Sequence, residues 1–221
     1  MMNVQVDSSI CVTEHVRILT PSTYVLRFSR NGMKFIPGQY LVLGLPGAED
    51  HREYSIYSGN NEPFLEVLIK EVDEGMVSNQ LKKIRPGKSL EVMGPFGFFL
   101  GSEQDRDPGP MLFIASGTGI APFHSYVKSF PGSDYRIIHG IRTIEEAYDA
   151  GDYDQERLYL CTSRDHRGNF KGRLTEYLPE AEIGHRCKVF LCGNSRMIYE
   201  AMEILHARGV PQRHIFTEVY F

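Results

Sequence analysis

The chain has 221 residues, of which 42% are hydrophobic and 24% charged, with a net charge of −4. That balance is too apolar for a disordered chain and lacks the basic excess of a nucleic-acid binder, and no apolar run reaches the ~18 residues of a membrane-spanning helix. The N-terminus has no basic-then-apolar leader, so a cytoplasmic chain without a membrane or nucleic-acid partner is expected, with a monomer as the simplest state.

From the N-terminus, alternating runs bounded by turn residues predict strands at Ile10–Leu19, Tyr24–Ser29, Tyr40–Leu45, Arg52–Tyr57, Leu65–Val72 and Ser89–Met93. Asn31-Gly32, Pro37-Gly38, Pro46-Gly47 and Pro86-Gly87 are typical of the turns that separate them. One helix is expected over Val77–Ile84. Six such strands are best buried by closing on themselves, so residues 1–101 are expected to form a six-stranded antiparallel β-barrel. Residues 102–110, polar and ending in Pro-Gly-Pro, mark a linker. Beyond it, short apolar runs at Met111–Ala115, Arg136–His139, Leu158–Thr162, Val189–Cys192 and Ile215–Glu218 alternate with helical stretches near Pro122–Ser129, Ile144–Ala150, Arg173–Leu178 and Arg196–Arg208. This alternation predicts a Rossmann-like α/β domain over 111–221 with a five-stranded parallel sheet.

Two constellations carry chemistry. Arg52-Glu53-Tyr54-Ser55 offers a guanidinium for a phosphate, an aromatic plane and a hydroxyl, which suits a phosphorylated tricyclic cofactor such as a flavin. Arg52 and Tyr54 share one strand face and Ser55 takes the other. Gly75-Met76-Val77-Ser78 opens a helix and presents backbone N–H groups to an anion. In the second half, Gly117-Thr118-Gly119 lies between a strand and a helix, where backbone can approach a dinucleotide pyrophosphate. Ser163, Arg164 and Arg173 suit a ribose 2′-phosphate, whereas Asp165 suits a free 2′-hydroxyl; Arg167 and Lys171 tilt the local charge toward the phosphate. Cys192-Gly193-Asn194 ends a strand at the edge where open α/β sheets bind ligands. The four cysteines, Cys11, Cys161, Cys187 and Cys192, contain no Cys-x-x-Cys pair, so neither an iron–sulfur cluster nor a metal site is expected.

The order Arg-x-Tyr-Ser, Gly-x-x-Ser, Gly-Thr-Gly-Ile-Ala-Pro, Ser-Arg, Cys-Gly-Asn and a final Glu-x-Tyr-aromatic resembles the ferredoxin/flavodoxin–NADP reductase family, most closely its bacterial single-chain members. The resemblance covers nearly the whole chain. It implies non-covalent FAD in the first domain and NADP(H) in the second, with ferredoxin or flavodoxin as the one-electron partner. Arg52 would bind FAD phosphate, Tyr54 would pack against the ring and Ser55 would lie near flavin N5. Ile69 and Lys70 would border the cofactor through their backbone, and Gly75, Met76, Val77 and Ser78 would hold the pyrophosphate. Tyr220 would cover the other flavin face, with Phe221 near the adenine, which favours FAD over FMN. Gly117, Thr118 and Gly119 would hold the coenzyme, Ser163, Arg164 and Arg173 its 2′-phosphate, and Cys192 and Gly193 its nicotinamide. Ser55, Cys192, Glu218 and Tyr220 would form the catalytic set. A basic cluster, Lys82, Lys83, Arg85 and Lys88, is a candidate partner surface. The rival readings are the reductase component of an oxygenase, an NAD(P)H:flavin reductase, and an FAD-binding electron-transfer subunit of a larger complex.

Overall fold

The computed structural model describes residues 8–72, 75–101 and 109–220. In its first half, β1 (Ser8–Thr20), β2 (Thr23–Ser29), β3 (Tyr40–Gly44), β4 (Arg52–Ser55), β5 (Phe64–Lys70) and β6 (Ser89–Phe96) pair antiparallel in the order β4-β3-β6-β1-β2-β5. Just past β4, Ile56 bridges Val67 of β5, so the two outer strands of that order meet. A short helix, α1 (Met76–Lys82), lies between β5 and β6.

The period of two decides which residue faces which core. Tyr24, Leu26 and Phe28 of β2 and Leu65, Val67 and Ile69 of β5 point into the core of the first sheet. Val25 and Leu68, on the opposite faces, join a second cluster with Phe113, Phe123 and Phe190. These two strands are therefore buried on both sides, and the two halves of the molecule share an apolar seam.

In the second half, β7 (Met111–Ser116), β8 (Tyr135–Ile141), β9 (Leu158–Thr162), β10 (Phe170–Lys171), β11 (Lys188–Asn194) and β12 (Ile215–Tyr220) form a parallel sheet in the order β10-β9-β8-β7-β11-β12. α2 (Ala121–Ser129) covers one face, while α3 (Leu174–Tyr177) and α4 (Ser195–Ala207) cover the other, which is why the central strands read as unbroken apolar runs. The expected five strands gain a sixth, the two-residue β10 beside β9. The expected helix over Ile144–Ala150 is replaced by two single 3₁₀ turns, Ile144–Glu146 and Ala150–Asp152. Between them Asp149 takes a left-handed backbone (φ 47°), which a continuous helix cannot contain. All four cysteines are free and buried. Among the described residues no helix is long and apolar enough to cross a membrane, and no cluster of His, Cys, Asp or Glu is placed to hold a metal.

Candidate active site

Two clefts open along the seam. The larger, about 780 Å³, runs from Arg52, Tyr54 and Ser55 of β4 past Lys70 and Val72 to Gly75, Met76, Val77 and Ser78 at the start of α1. Arg52 lines it with its side chain 61% exposed, donating to the His51 carbonyl at 2.7 Å and with its nearest carboxylate, Asp50, 3.8 Å away. Burial pushes the Tyr54 phenol up to about 12, against the smaller pull of Arg52, so the ring presents a neutral face. Val72 and Met76 are apolar and more than half exposed on the cleft wall, a surface that a planar aromatic ligand would cover.

Ile69 is fully buried in the core of the first sheet, because its neighbours Leu68 and Lys70 take the outward face of β5. The Ser78 hydroxyl is already engaged, accepting from Val72 N–H at 3.3 Å and facing the Gly75 carbonyl at 3.5 Å, so it braces the turn before the helix. Phe221 lies outside the described residues, as do residues 102–108 of the expected linker.

The second cleft, about 540 Å³, sits at the carboxyl ends of the parallel strands. Gly117, Thr118 and Gly193 form its floor, and Arg142, Ser163 and Arg173 stand at its edge. Gly119 also serves packing: a Cβ there would lie 2.3 Å from the Cys192 carbonyl oxygen. Gly193 (φ 141°) answers it, with a Cβ position only 2.1 Å from Ser116 Oγ. The two glycines let the turn after β7 press against the end of β11. Arg164 is exposed beside the cleft, and its backbone N–H donates to the Arg142 carbonyl at 2.8 Å. Asp165 is spoken for, accepting from Ile144 N–H at 2.9 Å and from Arg167 N–H at 3.1 Å, which with further hydrogen bonds holds its carboxyl far below the usual range. Arg167 in turn pairs with Asp165 and Glu145, so neither is free for a coenzyme ribose.

Lys70, Thr118 and Tyr220 line both clefts. At this junction the Tyr220 hydroxyl donates to Ser55 Oγ at 2.6 Å, and Ser55 donates to Glu218 Oε1 at 2.9 Å. The Cys192 thiol faces the same carboxylate oxygen at 4.0 Å, since Cys192 and Glu218 are register partners on β11 and β12. Burial pushes the Glu218 carboxyl up to about 7, with Ser55 pulling down and Glu53 adding to the rise. Burial first, then the Glu218 charge, raises the Cys192 thiol well above its usual range, so it stays protonated. Burial likewise keeps Tyr220 a phenol. All four expected catalytic residues thus meet within one hydrogen-bonded group.

Two contributors, Arg142 and His139, escaped the sequence reading. Arg142, just past β8, lines the second cleft and holds Glu146 at 3.4 Å; its position at a strand's carboxyl end was the available signal. His139 is buried and neutral, lowered to about 4 by burial, and its Nε2–H donates to the Gly117 carbonyl at 2.8 Å. Asn194 caps α4 by accepting from Met197 N–H at 2.9 Å and donates to Ser116 Oγ at 3.0 Å. The basic cluster does not border either cleft. Lys82 is neutralised by Glu71, and the Arg85–Lys88 turn packs on Thr13.

Residues 4–100 match the family model described as an oxidoreductase FAD-binding domain. The chain is 33% identical to ferredoxin–NADP reductase B of Sorangium cellulosum, over 93% of this chain and 94% of that protein. It is 26% identical to the toluate 1,2-dioxygenase electron transfer component of Pseudomonas putida, over 100% of this chain and 72% of that protein. Reductase components of other oxygenase systems recur among the relatives, and in several the chain spans between 56% and 61% of their length. A crystal structure of a ferredoxin NADP reductase from Neisseria gonorrhoeae with FAD and NADP superposes with a TM-score of 0.83 at 21% identity, covering 97% of this chain and 99% of that one.

Proposed function

The chain belongs to the ferredoxin/flavodoxin–NADP reductase superfamily, FAD-dependent oxidoreductases that pass electrons between NAD(P)H and a redox partner, and we propose that its clefts hold FAD and NADPH on either side of Tyr220. The observation that carries this is the junction: three residues shared by both clefts, backed by the Tyr220–Ser55–Glu218 chain. The residues present fit the two groups. An exposed guanidinium, a neutral phenol and apolar Val72 and Met76 suit a phosphorylated flavin, and exposed Ser163, Arg164 and Arg173 suit a 2′-phosphate. The Ile56–Val67 bridge supports reading the first sheet as a closed barrel over 1–101, with the coenzyme domain over 111–221.

Bound FAD supplies the chemistry, taking two electrons as hydride and releasing them singly. Around it, Arg52 and the Gly75–Ser78 backbone would hold the phosphates, and Tyr54 would pack on the ring. Ser55, beside the flavin cleft, accepts from Tyr220 and donates to Glu218, which holds or releases a proton near neutral pH. Tyr220 occupies the wall that both clefts share, so its ring must move aside for a nicotinamide to stack. Cys192, small and protonated, leaves room for that approach. The engagement of Asp165 removes the carboxylate that NAD would use, which supports NADPH.

The electron partner is a one-electron redox protein. The expectation of ferredoxin or flavodoxin in an NADP reductase gives ground here to the reductase component of an oxygenase system, the role that recurs among the relatives. Purified chain should be yellow, and NADPH should bleach it at lower concentration than NADH. Reoxidation by an iron–sulfur oxygenase component, by ferredoxin, by flavodoxin and by free FMN then ranks the partners. A colourless chain that refuses added FAD refutes the reading.

A further inference from the structure

The two clefts belong to different sheets, so their alignment depends on what fastens one sheet to the other. Contacts concentrate on Tyr57, two residues beyond Ser55. Its ring stacks on His124 of α2 with centroids 3.8 Å apart, and its carbonyl accepts from His124 Nδ1 at 2.7 Å. The next carbonyl, of Ser58, accepts from Ser125 Oγ at 2.7 Å. α2 begins directly after the Gly117–Ile120 turn that carries Thr118. The flavin-side hydroxyl and the coenzyme-side turn are therefore joined through a few residues on each side.

Asp149 completes the fastening from the β8–β9 connection. Its carboxylate accepts from both terminal nitrogens of Arg17 on β1, each at 2.7 Å, and from the Tyr57 hydroxyl at 2.9 Å. Burial works against this charge, yet Arg17 and Tyr57 together keep the carboxyl below its usual range. Among the described residues only Asn31 and Asp149 are non-glycine residues with positive φ, and Asn31 sits in an Asn-Gly turn. A left-handed aspartate persists only where its surroundings hold it. Neither Arg17 nor Asp149 lines either cleft.

We propose that Asp149 is a positioning residue: the Arg17–Asp149–Tyr57 clamp sets Ser55 against the Gly117–Ile120 turn and thereby aligns nicotinamide on flavin. The proposal rests on the reading that hydride passes between the two clefts. Two variants test it as FAD-loaded full chains. Asp149→Gly keeps the left-handed backbone and deletes the clamp, while Asp149→Asn keeps an acceptor for Tyr57 and loses the ion pair. Each is mixed with NADPH in a single turnover while flavin bleaching is followed. Flavin content and the NADPH concentration for half-maximal rate should stay within about twofold of the wild type. The limiting bleaching rate should fall about tenfold or more in Asp149→Gly, with Asp149→Asn between, as misplacements of an ångström do. If Asp149→Gly bleaches at the wild-type rate, whatever its melting temperature, Asp149 is structural only and the proposal is overturned. Should that variant not retain FAD, Tyr57→Phe, which removes one hydroxyl, is read by the same two outcomes. A wild type that NADPH cannot bleach overturns the hydride reading and the clamp with it; a failure of the clamp alone leaves the wild type active and the variants equal to it.

Discussion

Replacing Glu218 by glutamine separates its charge from its shape. Burial raises the folded carboxyl from 4.5 to about 7, so between those values the folded chain keeps a proton that the unfolded chain has released. Stability must therefore decline as pH rises through that window, because the folded state binds more protons there. At ~1.4 kcal/mol per pH unit, the wild type loses about 3 kcal/mol between pH 4 and pH 8 from this one group. Glu218→Gln still accepts the Ser55 hydroxyl at its amide oxygen but has no charge to bury. It should match the wild type near pH 4 and exceed it by about 3 kcal/mol at pH 8. Urea unfolding of both proteins at a series of pH values isolates the term, since every other titrating group cancels in the difference. The rate of flavin reduction by NADPH should lose its inflection near pH 7 in the variant. A stability difference that stays constant from pH 5 to pH 8 would refute the reasoning.

Two further outcomes follow from the coenzyme cleft. Gly193→Ala forces a side chain to 2.1 Å from Ser116 Oγ at φ 141°, and should lower stability by at least about 2 kcal/mol in denaturant titration. Arg173→Ala removes an exposed cation at the cleft edge, and should raise the KM for NADPH by about tenfold while leaving that for NADH and the melting temperature unchanged; equal effects on both coenzymes would remove Arg173 from the 2′-phosphate.

Much of the architecture was legible because it follows from local rules. Alternation over Tyr24–Phe28 and Leu65–Ile69 gave antiparallel strands, and the alternation of apolar runs with helical stretches beyond residue 110 gave the parallel sheet. The same alternation contained the fate of Ile69, since a residue between two cleft-facing neighbours must face the core. Other features depend on pairs distant in sequence. The Asp149 carboxylate meets Arg17, 132 residues away, a contact that no local pattern announces, and the expected Ile144–Ala150 helix gives way where Asp149 turns left-handed. Likewise, Asp165 reads as free until Ile144 is folded beside it. The glycine at 119 fits a phosphate turn by spacing alone, and only the approach of β11 reveals its second duty.

The apolar seam limits how this molecule can move. Parting the sheets would expose Val25, Tyr57 and Leu68, at about 2 kcal/mol for each, besides tearing the stacked Tyr57–His124 pair. A wide hinge swing is thereby discouraged. On the proposed reading, passage between the two clefts falls instead to the Tyr220 ring on β12, the outermost strand of its sheet, which pairs with β11 alone.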